Sequence, residues 1–267
     1  MDKDLSLVSN DVKLIILVCG DNKTGKKTIV KQIINERQFK TKEQSNFISY
    51  FFNYEEFVGK SNISIPVEIR ILNSEEQETE LKLNKPFFNE ALGAFVVTSI
   101  TDNNSFINGE KWKDKIDLMC CLPNRFPLPI FLLINKYEEI FNEKEKENVK
   151  NLQYITKDKI ESYALSNQFF NSFLIVKNPG ENINNKKIDM NNSDNIENKI
   201  NEEDNNNKEE NIKELMVSGE GAFQELIKVI MGFRDIRNAF ISQAGGVIDN
   251  TEVIGQNNAK NKKCIIY

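Results

Sequence analysis

A short apolar run, Leu14 to Val18, ends in Cys19-Gly20 and gives way to Asp21-Asn22-Lys23-Thr24-Gly25-Lys26-Lys27-Thr28. No other stretch of the chain limits its fold so tightly. An unbroken apolar run of this length suits a strand covered on both faces, as in parallel sheets. From Lys26 to Ile34 the apolar spacing changes to that of a helix. The segment between them matches Gly-x4-Gly-Lys, and strand, glycine turn and helix are the context that this motif requires. Backbone N–H groups of such a loop cradle phosphate at the positive end of a helix, while the lysine, here Lys26, reaches the outer phosphates. The plainer alternative is a glycine turn carrying solvated lysines.

Further strands are expected at Phe47 to Val58, Ile63 to Leu72, Ala94 to Ile100, Ile130 to Ile134 and Phe173 to Val176. Ser105 to Leu118 has helical spacing, with Phe106 and Trp112 on its apolar side. Strands alternating with helices predict a doubly wound α/β fold, a six-stranded, mostly parallel sheet flanked by helices. Glu181 to Lys213 is dominated by Asn, Glu, Lys and Asp without one aromatic residue. It lacks the apolar surface needed to offset chain ordering, so disorder is expected there. A helical pattern resumes at Glu220, with Phe223, Leu226, Ile227, Ile230 and Phe233 on one face. The expected organisation is a polar lead at 1–10, a main domain at 11–180, an insertion at 181–213, a final domain helix at 214–238 and a flexible tail at 239–267.

Composition removes several function classes. The 267 residues include no histidine, which excludes an imidazole base or a histidine metal ligand. A net charge of −5 argues against a nucleic-acid partner. Cys19, Cys120, Cys121 and Cys264 lack zinc-ligand spacing, and a reducing cytoplasmic setting is expected. No signal peptide is expected, and no apolar run reaches the roughly 18 residues that would span a bilayer.

Phe87-Phe-Asn-Glu-Ala-Leu-Gly-Ala-Phe-Val-Val97 is followed by Thr101-Asp102, Ser105-Phe106, Lys111-Trp112-Lys113 and Leu122-Pro123-Asn124. Pro127-Leu128-Pro129 and Leu132-Leu-Ile-Asn-Lys136 complete the series. With the phosphate loop, these segments resemble the Rab family of small GTPases in the Ras superfamily, over about 12–184 and the helix near 219–236. They are similar to the Rab subgroup of lysosome-related organelles. The resemblance implies a Ras-like P-loop NTPase fold, GTP or GDP as ligand, trafficking effectors and regulators as partners, and the cytosolic face of an endomembrane as location.

The family's motifs carry over unevenly. The implied nucleotide contacts are Gly20, Asp21, Asn22, Lys23, Thr24, Gly25, Lys26, Lys27 and Thr28 in the loop. The guanine motif Asn-Lys-x-Asp appears as Asn135-Lys136-Tyr137-Glu138, one methylene longer at Glu138. The base loop corresponds by position to Val176-Lys177-Asn178. Where the family places a hydroxyl ligand for Mg²⁺, this chain has Lys27, and Thr28 stands one residue late, rotated by about 100° on a helix. Either the Lys27 ammonium takes the metal's region and offsets phosphate charge, or it turns outward and the metal site is absent. The switch threonine falls at Tyr50, and Phe51-Phe-Asn-Tyr-Glu55 replaces the effector motif. Asp-Thr-Ala-Gly-Gln-Glu becomes Asn73-Ser74-Glu75-Glu76-Gln77-Glu78. Glu76 sets a carboxylate where the γ-phosphate is approached, and Gln77 is either the retained water-orienting residue or an ordinary surface residue.

Lys27, Tyr50 and Asn73 together alter one ion's shell, which favours loss of metal-assisted hydrolysis. At the C-terminus, Cys264-Ile-Ile-Tyr267 has the form of a prenylation signal, with Lys260, Lys262 and Lys263 upstream. The leading expectation is a membrane-attached, Rab-like guanine-nucleotide-binding protein of vesicle or organelle trafficking, with hydrolysis slow or lost. A nucleotide-free scaffold and an active GTPase with a rearranged metal shell are the alternatives.

Overall fold

The computed structural model describes residues 12–35, 37–44, 47–58, 61–72, 85–122, 125–136, 157–176 and 215–244. The first apolar run forms β1, Leu14–Cys19, with every residue buried. The glycine turn leads into α1, Lys26–Ile34, which buries Ile29, Val30, Ile33 and Ile34. Then come β2 (Lys40–Glu43), β3 (Phe47–Val58), β4 (Ser61–Leu72) and a short α2 (Lys85–Phe88). The order continues β5 (Gly93–Ser99), α3 (Asn103–Met119), β6 (Ile130–Asn135), α4 (Lys157–Ser166) and β7 (Asn171–Ile175). The described chain closes with β8 (Met216–Val217), α5 (Gly219–Gly232) and α6 (Arg234–Gln243).

All eight strands join one sheet in the order β2-β3-β4-β1-β5-β6-β7-β8. β2, β3 and β4 are antiparallel neighbours, and every pairing from β4 to β8 is parallel. The sheet thus has two strands more than expected, one at each edge. β2, Lys-Thr-Lys-Glu, is exposed throughout, and β8 has two half-buried residues. Neither buries enough to leave an apolar period, and both exist through backbone pairing to a neighbour.

Alternation along β5 sets the layers. A Cβ on Gly93 would meet Ile230 and Leu226 of α5, so α5 lies on the face that Gly93 presents. A Cβ on Gly109 of α3 would meet the Thr98 methyl. Residues 93 and 98 point to opposite faces of a strand, which puts α3 and α5 on opposite sides of the sheet. α1 packs beside α5. Gly219 donates its N–H to Gln32 Oε1 at 2.8 Å, and Phe223 meets Phe52 and Tyr54 at 5.9 and 5.3 Å between ring centres.

The last helical region differs from its expected boundaries. α5 is capped by the Ser218 hydroxyl, which accepts from the Gly221 N–H, and ends at Gly232. After Phe233 a separate helix, α6, carries on to Gln243, five residues into the expected tail. Ile236 and Phe240, four apart, bury one side of α6 and explain why helix persists in an otherwise polar stretch.

One polar cluster sits inside the antiparallel half. Arg70 donates from Nε to Glu68 Oε1 at 2.8 Å, and Ser49 Oγ donates to the same oxygen at 2.8 Å. Arg70 Nη1 also donates to the carbonyls of Pro86, Phe87 and Asn89, so it caps the C-terminal end of α2. Burial alone would raise the Glu68 pKa. Hydrogen bonds from Arg70 and Ser49 outweigh it and hold the carboxyl below its usual range.

Candidate functional site

β1 pairs with β4 on one side and β5 on the other, and the chain leaves it through α1. The C-terminal ends of β1 and β5 therefore form the topological switch point at which open α/β sheets bind ligands. The phosphate loop lies there. Gly20 has φ of 135°, and a Cβ added to it would stand 2.1 Å from the Val97 carbonyl oxygen of β5. Gly25 has φ of 92°, and its added Cβ would stand 2.0 Å from Asn135 Nδ2. Only glycine fits at either position. Lys23 is also left-handed, with φ of 60°. Left-handed residues interspersed in a short loop curl the backbone into the kind of nest that binds anions.

The positive end of α1 faces the same loop. Its cap, Gly25, supplies no side-chain hydrogen bond, and its first turn carries no acidic residue. The first N–H groups of a helix lack intrahelical acceptors, so this end is suited to a phosphate. Lys26 is 8% exposed and turns its ammonium into the loop, donating to the Gly20 and Asp21 carbonyls at 2.7 Å each. Burial pushes the Lys26 pKa down to about 8, against the pull of the nearby Asp21 carboxylate. Asn22, Lys23, Lys27 and Thr28 are exposed around this centre.

Asn135 ends β6 and holds the loop from below. Its Nδ2 donates to the buried Thr24 carbonyl at 2.9 Å, while Thr24 Oγ1 donates to the Asp21 carbonyl at 3.0 Å. Lys136 follows in a left-handed conformation, φ 65°. The structure therefore brings Asn135 of the guanine motif against the phosphate loop. Val176 does not join them through its side chain, which is buried, while its N–H donates to the Val217 carbonyl at 3.0 Å. Tyr137, Glu138, Asn73, Glu76, Gln77, Lys177, Asn178, Cys264 and the 1–10 and 181–213 segments lie outside the described residues.

Magnesium is a hard cation that takes oxygen ligands, and the two described positions where the resemblance places its hydroxyl ligands are Lys27 and Tyr50. Lys27 presents an exposed ammonium, which has no lone pair to give. Thr28 is exposed on the next step of α1. Tyr50 is paired with Thr41 of β2 and Ile69 of β4, so its backbone is fixed in a three-stranded ladder. Burial, and then Glu43, raises the Tyr50 pKa, which keeps the phenol protonated. Among the described residues, no group of three or more Cys, Asp or Glu side chains is arranged to hold a metal.

Two side chains at the loop were not anticipated as part of it. Asn108 Nδ2 and Trp112 Nε1, both on α3, donate to the Asp21 carboxylate at 2.7 and 2.8 Å. Trp112 reads from sequence as an apolar-face residue, and it is buried. Its four-residue spacing from Asn108 was the available signal that both face one target. Of the cysteines, Cys19 is core and its thiol is pushed up to about 12 by burial, Cys120 is half-buried, and Cys121 is exposed.

A strand, a glycine-bounded phosphate cradle and a helix at the divergence of a mostly parallel sheet define a P-loop domain of the Ras-like kind. The Ras family model matches residues 13–171. The chain belongs to the Ras family. Curated relatives that it resembles are Rab proteins. It is 28% identical to Ras-related protein Rab-32 of Mus musculus over 46% of this chain and 54% of that protein. It is 24% identical to Ras-related protein Rab-7L1 of Homo sapiens over 48% of this chain and 61% of that protein. It is 26% identical to Ras-related protein Rab-32A of Dictyostelium discoideum over 48% of this chain and 57% of that protein. The chain thus spans little more than half the length of the curated relatives it matches.

Proposed function

We propose that this chain is a Rab-like guanine-nucleotide-binding protein of vesicle or organelle trafficking, and that it hydrolyses GTP slowly or not at all. The observation that carries the binding half is the buried Lys26 ammonium inside a loop locked by Asn135. Slow turnover follows from the chemistry at Lys27 and Tyr50 and from the substitutions Asn73 and Glu76. Glu138 supplies a carboxylate for the guanine edge, and Gln77 remains the candidate for orienting water if any turnover persists.

Calorimetric titration with GDP and GTP, with magnesium and with EDTA, tests this. Binding is expected in both conditions, with little loss on chelation. No binding of either nucleotide in either condition would end the proposal. Brisk magnesium-dependent turnover, lost in Gln77→Leu, would end the slow-hydrolysis half and favour a rearranged metal shell.

A nucleotide-free scaffold is the second reading. It is favoured by the concentration of substitutions around the phosphate positions, Lys27, Tyr50, Asn73 and Glu76. A ligand that binds only the folded state raises stability, so a melting shift with GDP rejects the scaffold.

For location, Cys264 with Lys260, Lys262 and Lys263 supports prenylation and attachment to a cytosolic membrane face. No described helix is long and apolar enough to cross a membrane. Cys264→Ser is expected to move the protein to the soluble fraction on cell fractionation.

A further inference from the structure

Asp21 puts a carboxylate within a loop built to hold anions, and the fold provides for that charge. Its Oδ2 accepts from Asn108 Nδ2 at 2.7 Å and its Oδ1 from Trp112 Nε1 at 2.8 Å. Both carboxylate oxygens are engaged, and both donors stand on one face of α3, four residues apart. The chemistry fixes the direction of each bond. An indole N–H only donates, and an ionised carboxylate only accepts, so Asn108 must present its amide nitrogen. Trp112 is 4% exposed, and the Lys115 ammonium lies 4.6 Å above its ring centre, adding positive charge behind the indole.

We infer that Asn108 and Trp112 are positioning residues for nucleotide binding, holding the Asp21 carboxylate against α3, out of the phosphate cradle and off the Lys26 ammonium. This rests on the nucleotide-binding reading above. Lys26 Nζ already bonds the main-chain carbonyl of Asp21 at 2.7 Å, which puts that residue's own carboxylate within a side-chain rotation of the ammonium. The proximity is electrostatically felt, since Asp21 raises the Lys26 pKa against the effect of burial. A released carboxylate would find the nearest cation and the exposed end of α1, the two features a phosphate needs. It would then compete as a tethered anion and repel what it failed to displace. The two α3 donors remove that competitor and couple the loop to a helix on the far side of β5 from α5.

Calorimetric titration with GDP is the test, on wild type, Trp112→Phe, Asn108→Ala, Asp21→Asn and the double variants Asp21→Asn/Trp112→Phe and Asp21→Asn/Asn108→Ala. Trp112→Phe keeps the ring and deletes the donor. Each α3 variant is expected to weaken GDP binding roughly tenfold, the scale of moving one unit charge a few ångströms toward an anion at intermediate dielectric. Asp21→Asn removes the competing charge. Both double variants are therefore expected to recover wild-type affinity, a rescue that a packing role would not produce. If Trp112→Phe fails to fold, the half-buried Asn108 carries the same comparison. Unchanged affinity in the α3 variants, or no recovery in the double variants, overturns the inference. A wild-type chain that does not bind GDP removes the nucleotide reading and this inference with it.

Discussion

The two sides of β1 have been treated very differently. Toward β5, the phosphate loop is held by Val97 beneath Gly20, by Asn135 against Gly25 and Thr24, and by Asn108 and Trp112 on Asp21. Toward β4, Tyr50 is locked in a ladder, and a Ser49–Glu68–Arg70 cluster ties the antiparallel strands to the end of α2. The described side chains that lock the cradle come from the parallel half, while the altered magnesium position Tyr50 lies in the antiparallel half. Lys27, the other described position altered at the family's magnesium site, stands on α1 beside the cradle itself.

Loss of Arg70 is the most costly change in the antiparallel half. Arg70→Ala strands a buried Glu68 carboxylate and the carbonyls of Pro86, Phe87 and Asn89, and is expected to cost about 3–5 kcal/mol in denaturant unfolding. GDP affinity of the folded fraction should change little if the halves are independent. The pH dependence of this cluster has a defined sign. Glu68 has a lowered folded-state pKa, so its contribution is present above the unfolded value and is lost as pH falls through the folded one. Wild type should lose stability on acidification over that window, and Glu68→Gln should flatten the curve.

On the other side, Gly20→Ala drives a Cβ into the Val97 carbonyl at a backbone angle that L-residues rarely adopt. It is expected to cost about 2–4 kcal/mol and to abolish GDP binding. Asn135→Ala is smaller. It leaves the Thr24 carbonyl buried without its donor, at about 1–3 kcal/mol, and weakens GDP binding while leaving the Arg70 cluster untouched.

The Lys26 pKa is lowered by burial to about 8, so charging this lysine opposes folding below that value, and the penalty is relieved as pH rises toward its unfolded pKa. A bound phosphate favours the charged form. GDP affinity should therefore fall as pH rises through about 8, with proton uptake on binding seen as a buffer-dependent calorimetric heat.

The long strands of both halves were legible, β3 over its whole length and β4 to within two residues. β1, β5 and β6 are buried on every residue, so their signal is a continuous apolar run, and the glycine loop sits where the strand must turn. β2 and α4 gave no such signal: β2 buries nothing, and α4 buries only Ile160 and Ala164. Glu68 and Arg70 occupy alternating positions of β4 that a strand pattern would assign to solvent. Their burial depends on Ser49 from β3 and on the α2 carbonyls. The Asp21 contacts join a loop to a helix nearly ninety positions later, and no local period encodes such a pair. What sequence could show was Trp112 on an inward face; that its N–H meets a carboxylate belongs to the fold.

β8 has a consequence for the chain's tolerance of length. Leu174 donates its N–H to the Leu215 carbonyl at 2.8 Å, and Val176 to that of Val217 at 3.0 Å. The chain thus departs from and rejoins the domain at adjacent hydrogen bonds, which act as a clasp. Whatever joins 176 to 215 closes a circuit whose two contacts are already fixed. For a connection without structure of its own, each doubling of length costs only about 0.6 kcal/mol. The clasp, not the length of chain between its two halves, sets where α5 begins on the sheet.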